Sequence, residues 1–89
     1  MSANGMLGMN PEEVRGLAQQ MESAAAEIQE KQQRLTSMLQ GTTWNGNDRT
    51  QFESDWNGNH VAALNNVANA LTEAAQRART NATEQEQAS

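Results

Sequence analysis

One tripeptide near the middle of the chain, Trp44-Asn45-Gly46, constrains the fold more than any other feature of the sequence. It lies in a stretch rich in glycine and asparagine, between two long segments with helical periodicity. Glycine tolerates the left-handed backbone that a chain reversal needs, and a large aromatic side chain can anchor two helices at a bend. The other two aromatic residues, Phe52 and Trp56, follow closely. We therefore predict an all-α, antiparallel two-helix hairpin with its corner at this tripeptide.

The composition favours helices but provides little material for a core. The chain has 89 residues, and Leu, Ile, Val and Phe together number only eleven of them. Ala, Gln and Glu, which are common here, are good helix formers. Because a small domain buries only a modest fraction of its surface, we expect the hairpin to pair with a partner chain, as a dimer that forms a four-helix bundle.

The charge and the residue types exclude several classes of protein. The net charge is −5 and no basic cluster occurs, which argues against binding to nucleic acid or to anionic membranes. Cysteine is absent, so neither a disulfide nor a thiolate metal site can form. No apolar run is long enough to span a bilayer, and residues 1–9 do not resemble a cleaved secretory signal.

The first helix is predicted at about residues 11–40, after a flexible lead at residues 1–9. Asn10 can cap it, Pro11 suits its first position, and Glu12 and Glu13 favour the positive end of its dipole. Three rows with a spacing of seven run along it: Val14, Met21, Ile28, Leu35; Leu17, Ala24, Lys31, Met38; and Ala18, Ala25, Gln32, Leu39.

These rows suggest different roles. We expect the first row to pack within the hairpin, and the face with Ala18, Ala25 and Leu39 to meet the partner. Lys31 either extends into solvent or pairs with an acid on a neighbouring helix. Met21 and Met38 are expected to fill the core.

A turn at about residues 41–47 leads to a second helix at about residues 48–82. Trp56-Asn57-Gly58 repeats the corner tripeptide and is a rival site for the turn. We prefer the first, because Gly41-Thr42-Thr43 adds signals that break a helix and because an apolar stripe runs without interruption from Phe52. A flexible tail is expected at residues 83–89. The stripe consists of Phe52, Trp56, His60, Leu64, Val67, Leu71, Ala74 and Ala78.

No arrangement of residues predicts catalysis, a metal or a cofactor. The single histidine, His60, has no partner of the types that bind metal or activate a nucleophile. Glu84 and Glu86 are interpreted as solvated carboxylates, and Asp48 as a residue that stabilises a helix start. We therefore expect a protein that is not an enzyme and that has no cofactor.

The sequence resembles the WXG family of small, Esx-type secreted proteins. Trp44, Gly46, Phe52 and Trp56 match the family pattern in type and spacing, and the segment from Pro11 to Arg15 is also similar. The resemblance covers about residues 9–82. It implies export by a type VII (ESX) secretion system without a cleaved signal, and dimerisation as a homodimer or heterodimer in a four-helix bundle.

One feature of the family is missing. Many members carry a C-terminal Tyr-x-x-x-Asp/Glu export signal, whereas this chain has no tyrosine, and Gln85 and Ser89 stand near the two positions. Either a partner supplies the signal or the system uses a looser variant.

The resulting hypothesis is a secreted substrate, effector or carrier partner that folds in the cytoplasm before export. Alternatives are an intracellular adaptor or chaperone that escorts a larger toxin, and a membrane-active effector, for which the basic flanking residues are missing. Trp44, Gly46, Phe52 and Trp56 are the candidate turn and recognition residues. The residues predicted to pack the hairpin or the dimer are Val14, Leu17, Met21, Ala25, Ile28, Leu35, Leu39, Leu64, Val67 and Leu71.

Overall fold

A computed structural model describes residues 8–88, and this part of the chain is an all-α helical hairpin without strands. Helix α1 spans Pro11–Gly41 and helix α2 spans Asn47–Asp55. A π-helical turn, Trp56–His60, joins α2 to helix α3, Val61–Ala88. These last three elements follow one another without a break and form the second rod of the hairpin. Residues 1–7 of the predicted lead, and Ser89, lie outside the described residues.

The start of α1 is set by local chemistry. The Asn10 side-chain oxygen accepts hydrogen bonds from the backbone nitrogens of Glu12, at 3.0 Å, and Glu13, at 3.2 Å. Pro11 occupies the first turn, where its missing N–H costs nothing. The two glutamates add negative charge at the positive end of the helix dipole. This is the capping that the sequence predicts.

The two rods lie against each other along their length, and the result is a long, thin molecule. Its principal dimensions are 66 × 17 × 15 Å, measured over the Cα atoms. The chain reverses between Thr42 and Gly46, so the rival tripeptide Trp56-Asn57-Gly58 lies inside the second rod. The molecule therefore has a closed end at this corner and an open end where Pro11 and Ala88 lie.

The contact line between the rods consists of alanines. Apart from Pro11, the buried residues of the described chain are five alanines with a spacing of seven in each rod. Alanine has the smallest side chain that still buries apolar surface, so it lets two helix axes approach closely, whereas larger side chains must move to the flanks. We call this contact line the alanine seam; its members are Ala18, Ala25, Ala68, Ala75 and Ala82.

The seam corrects the predicted roles of two helical rows. Ala18 and Ala25 were expected to meet a partner, but they are buried inside the hairpin, at 0% and 5% exposure. The row expected to pack the hairpin lies on one flank of the seam instead, where Val14, Met21 and Ile28 are half-buried and Leu35 is exposed. The physical reason is size, since the row of smallest side chains permits the closest approach of the helices.

The opposite flank of the seam carries two ion pairs between the rods. The Arg15 guanidinium donates to both carboxylate oxygens of Glu86, at 2.8 and 2.6 Å. Arg79 pairs with Glu22 in the same two-fold way, with Nη2 to Oε1 at 2.8 Å. These hydrogen bonds lower the pKa of Glu86 and Glu22 and raise the pKa of the two arginines. We call this flank the polar face.

The second rod extends further than the predicted helix. The sequence predicts an end at residue 82 and a flexible tail, but α3 continues to Ala88. Ala82 is fully buried in the seam, and Glu86, one turn later, is held by Arg15. Glu86 is thus not simply a solvated carboxylate, and the last turns of α3 are stabilised by contacts from the start of α1.

The π-helical turn changes the phase of the second rod. Its hydrogen bond joins the Val61 N–H to the Trp56 carbonyl, five residues earlier, so the turn contains one residue more than an α-helical turn. The predicted stripe assumes an unbroken α-helix and places His60 on the packed side. In the structure His60 is exposed and Val61 is half-buried in its place.

Candidate interaction surface

The backbone of the corner is held by one arginine. Arg49 Nη1 donates to the carbonyl oxygens of Thr42, at 2.9 Å, and Trp44, at 3.0 Å. Its Nε atom also pairs with Glu53 Oε1 at 3.1 Å, one turn along α2. Gly46, with φ of 110°, adopts a backbone conformation that strongly favours glycine. These contacts fix the direction in which the chain enters α2.

The three aromatic side chains meet at the closed end. The rings of Trp44 and Phe52 lie with their centroids 5.5 Å apart, tilted by 51°, which is a favourable aromatic geometry. Trp56 reaches across to the first rod, where its Nε1 donates to Thr36 Oγ1 at 2.8 Å. Thr36 in turn donates to the Gln32 carbonyl at 2.8 Å. The indole of Trp56 therefore links the two rods beside the corner.

A cavity of about 300 Å³ opens between these aromatic rings and the end of α1. Its wall is almost entirely apolar, and Trp44 and Phe52 remain 38% and 45% exposed. Large apolar side chains that are left half in water are a feature of surfaces that bind other molecules. We call this cavity the corner pocket; it is lined by Leu35, Met38, Leu39, Thr42, Trp44, Phe52 and Trp56.

An apolar surface continues from the corner pocket along the flank opposite to the ion pairs. It is formed by two rows on each rod. The inner row lies four residues before each seam alanine and continues along α1 to Ile28 and Leu35, and the outer row lies next to it, further from the seam. Leu17, Met38 and Val67 are 53%, 59% and 50% exposed. The surface also contains one charged residue, Lys31, which is exposed. We call it the apolar face; its residues are Val14, Leu17, Met21, Ala24, Ile28, Lys31, Leu35, Met38, Leu64, Val67, Leu71, Ala74 and Ala78.

The structure brings the four predicted corner residues together. Trp44, Phe52 and Trp56 line one cavity, and Gly46 provides the turn between them. Of the ten predicted packing residues, only Ala25 is buried in the hairpin. The others lie on the apolar face, except Leu39, which is half-buried beside the corner pocket. Met38, expected to fill the core, is the most exposed of the large apolar residues within 8–88.

Two residues that organise the corner were not singled out from the sequence. Arg49 and Thr36 hold the backbone and Trp56, respectively. Arg49 does leave a signal, because Glu53 follows it by four residues, the spacing of a helical ion pair. Thr36 leaves none, since its partner is twenty residues away and their contact depends on the register of the two rods.

The described residues contain no site with evident chemistry. No group of three or more His, Asp or Glu side chains in this part of the chain could hold a metal ion. The ring of His60 lies 6.1 Å from that of Trp56, and no hydrogen bond of the His60 side chain is recorded in residues 8–88. None of the described helices is long and apolar enough to cross a membrane. The corner pocket and the apolar face are thus the main candidates for function.

Comparison with known proteins gave no match, whether the chain was compared with models of protein families, with curated proteins or with solved structures.

Proposed function

We propose that this chain is a non-enzymatic WXG-type protein that is exported by a type VII secretion system and acts as a secreted substrate or carrier through dimerisation. The observation that carries the proposal is the continuous surface formed by the corner pocket and the apolar face. It combines the tryptophan-glycine corner with most of the large apolar side chains of the chain, all left partly exposed.

The core of one hairpin supports the need for a partner. Apart from Pro11, the buried apolar side chains of the described chain are all alanines, each of which contributes little free energy on burial. Leucine, methionine and valine side chains would contribute more, but in a single hairpin four of them keep about half of their surface in water: Leu17, Leu35, Met38 and Val67. Burying them against another chain would provide the stabilisation that the hairpin lacks.

The dimensions of the apolar face suit a second hairpin. The molecule is 66 Å long and 15–17 Å wide, enough for the ~800 Å² per partner that a stable interface typically buries. The ion pairs between the rods lie on the polar face and would stay outside such an interface. Of the residues that form the apolar face, Lys31 is the one charged residue that pairing would cover. We propose a second copy of this chain as the partner, since two such faces are alike and form a four-helix arrangement.

The oligomeric state is tested by light scattering after size exclusion. We expect a dimer at micromolar concentration, and we expect Val67→Glu to yield a folded monomer, because it places a charge in the apolar face. Asn69→Glu is the matched control, since this exposed residue lies on the other side of α3 and should leave the dimer intact. A folded, monomeric wild-type protein would contradict the proposal.

Export is tested separately. In a strain with a working type VII system, we expect the protein in the culture supernatant, and we expect it to remain in the cells when the ATPase of the system is deleted. Co-expression with the products of neighbouring genes tests whether a partner supplies the missing tyrosine signal. Retention in the cytoplasm in a stable complex with a large toxin would instead favour the escort role.

A further inference from the structure

The corner contains an Asn-Gly pair, Asn45-Gly46, and a second pair, Asn57-Gly58, lies in the π-helical turn. A third, Asn4-Gly5, lies outside the described residues. In such a pair the backbone nitrogen of glycine can attack the side-chain carbonyl of asparagine, because glycine has no Cβ to obstruct the approach. Whether the attack occurs depends on how freely the backbone can move and on what holds the glycine nitrogen.

At the corner, no hydrogen bond among the described residues restrains the two groups that would react. Asn45 is exposed and belongs to neither rod, and Gly46 has a positive φ, with φ 110° and ψ −174°. Arg49 holds the carbonyls of Thr42 and Trp44, one on each side of Thr43, and in residues 8–88 it has no recorded hydrogen bond to Asn45. Within residues 8–88, no hydrogen bond is recorded to the Asn45 side chain or from the Gly46 nitrogen.

The second pair is held differently. Gly58 lies within the second rod, where backbone nitrogens donate to carbonyls of the preceding turn. The helical backbone also keeps the Gly58 nitrogen turned away from the preceding side chain. Attack there requires the rod to open locally, and this costs free energy. The same dipeptide thus occurs in a free and in a protected setting within one molecule.

We propose that Asn45 is a site of spontaneous deamidation and that the fold protects Asn57. The Gly46 nitrogen loses its proton to solvent base and forms a bond to the Asn45 side-chain carbonyl carbon, and the side-chain nitrogen leaves as ammonia. Water then opens the five-membered imide to aspartate or isoaspartate. The net change is the uptake of one water, the release of one ammonia and the replacement of an amide by a carboxylate.

This change alters the corner. A carboxylate at position 45 is ionised at neutral pH and places a negative charge on the residue next to Trp44, which lines the corner pocket. The isoaspartate form also adds one carbon to the main chain between Trp44 and Gly46, so the anchoring of Trp44 against Phe52 changes. Deamidation would therefore add a negative charge to the corner with time, whether or not the protein is exported.

The test is peptide mapping by mass spectrometry of the full-length protein incubated at physiological temperature and mildly alkaline pH. In the folded protein we expect Asn45 to convert at least about tenfold faster than Asn57, because the latter needs local opening. In guanidinium chloride the two rates should become similar. Isoaspartate at position 45 can be detected by enzymatic methylation, and Asn45→Gln should abolish the reaction at the corner alone.

Similar rates at Asn45 and Asn57 in the folded protein would overturn the proposal. So would a folded Asn45 that stays intact under conditions in which the unfolded chain reacts. Since Asn45→Gln keeps an amide and alters no helical residue, its melting temperature should match that of the wild type. An equal melting temperature verifies that the loss of deamidation in the variant is not caused by a change in folding.

Discussion

The two tryptophans of the corner are held in different ways. Trp44 is 38% exposed and contacts Phe52, whereas Trp56 is half-buried and has a hydrogen bond to the opposite rod. A hydrogen bond across twenty residues depends on the register of the rods, and an aromatic contact across eight residues does not. Trp56 is therefore expected to matter more for stability, and Trp44 for recognition.

Replacing Trp44 by Ala should destabilise the protein by about 1–2 kcal/mol, less than the ~3–5 kcal/mol typical of a fully buried aromatic residue. The reason is that the indole already keeps more than a third of its surface in water. Urea unfolding measures this loss. If the variant is no longer exported but loses only about 1–2 kcal/mol of stability, Trp44 acts in recognition. A loss above ~5 kcal/mol would show that its role is structural.

The hydrogen bond between Trp56 and Thr36 can be measured with a double-mutant cycle. Trp56→Phe and Thr36→Val each remove one partner, and we expect a coupling energy of about 1 kcal/mol between them. The free energies of unfolding of the four proteins provide the value. Thr43→Val is a suitable control, since Thr43 is exposed and has no contact with Trp56 recorded in residues 8–88. A coupling near zero would mean that the bond is replaced by water.

At the scale of the elements, local signals explain what the sequence predicts well. The cap at Asn10, the break before Gly46 and the helical periodicity depend on neighbouring residues, so the helices and the hairpin follow from them. The choice of the alanine row as the contact line does not follow from local signals. It depends on which row of side chains lets the two helices approach most closely, and this involves both rods. The extension to Ala88 depends on Arg15 of the first rod holding Glu86 of the second, and no local pattern contains this contact.

The alanine seam makes a sharp prediction about size. Ala25→Leu should destabilise the hairpin by about 1–3 kcal/mol, because the larger side chain forces the two rods apart. Ala26→Leu, one residue later and exposed, should change stability by no more than about 0.5 kcal/mol. Thermal and urea unfolding of both variants check this. Equal effects at the two positions would mean that the seam tolerates larger side chains.

The ion pairs of the polar face predict a dependence on pH. Their hydrogen bonds lower the pKa of Glu22 and Glu86 in the folded state. Groups with a lowered pKa stabilise the fold above their unfolded pKa, about 4.3, and this contribution is lost as the pH falls through the folded pKa. We therefore expect the melting temperature to fall when the pH is lowered below the unfolded pKa of about 4.3.

Glu22→Gln and Glu86→Gln identify the source of this dependence. Each variant should melt below the wild type at neutral pH, and the difference should shrink in acid, where the wild-type carboxylates are protonated as well. High salt should also reduce it, because these side chains are about half exposed and exposed pairs are screened. A difference that stays constant with pH would show that the carboxylates are not the source.

At the scale of the whole molecule, the two flanks of the seam divide the surface by polarity. The two ion pairs between the rods lie on one side, and the large apolar side chains lie on the other. Leu17, Met38 and Val67 lie on the same side and keep about half of their surface in water. Apolar side chains grouped in this way are typical of a surface that another chain covers. This asymmetry favours the proposed pairing with a second copy, and such pairing would make stability depend on concentration.

If a dimer is the folded unit, its melting temperature must rise with protein concentration, since association and folding are linked. A hundredfold increase stabilises a dimer by about 2.7 kcal/mol, which for a dimer of this size corresponds to about 5–10 °C. Calorimetry at two concentrations measures the shift. Val67→Glu should melt at a lower temperature that is independent of concentration, whereas Asn69→Glu should follow the wild type. A wild-type melting temperature that does not change over this range would mean that the apolar face is not covered by a second copy.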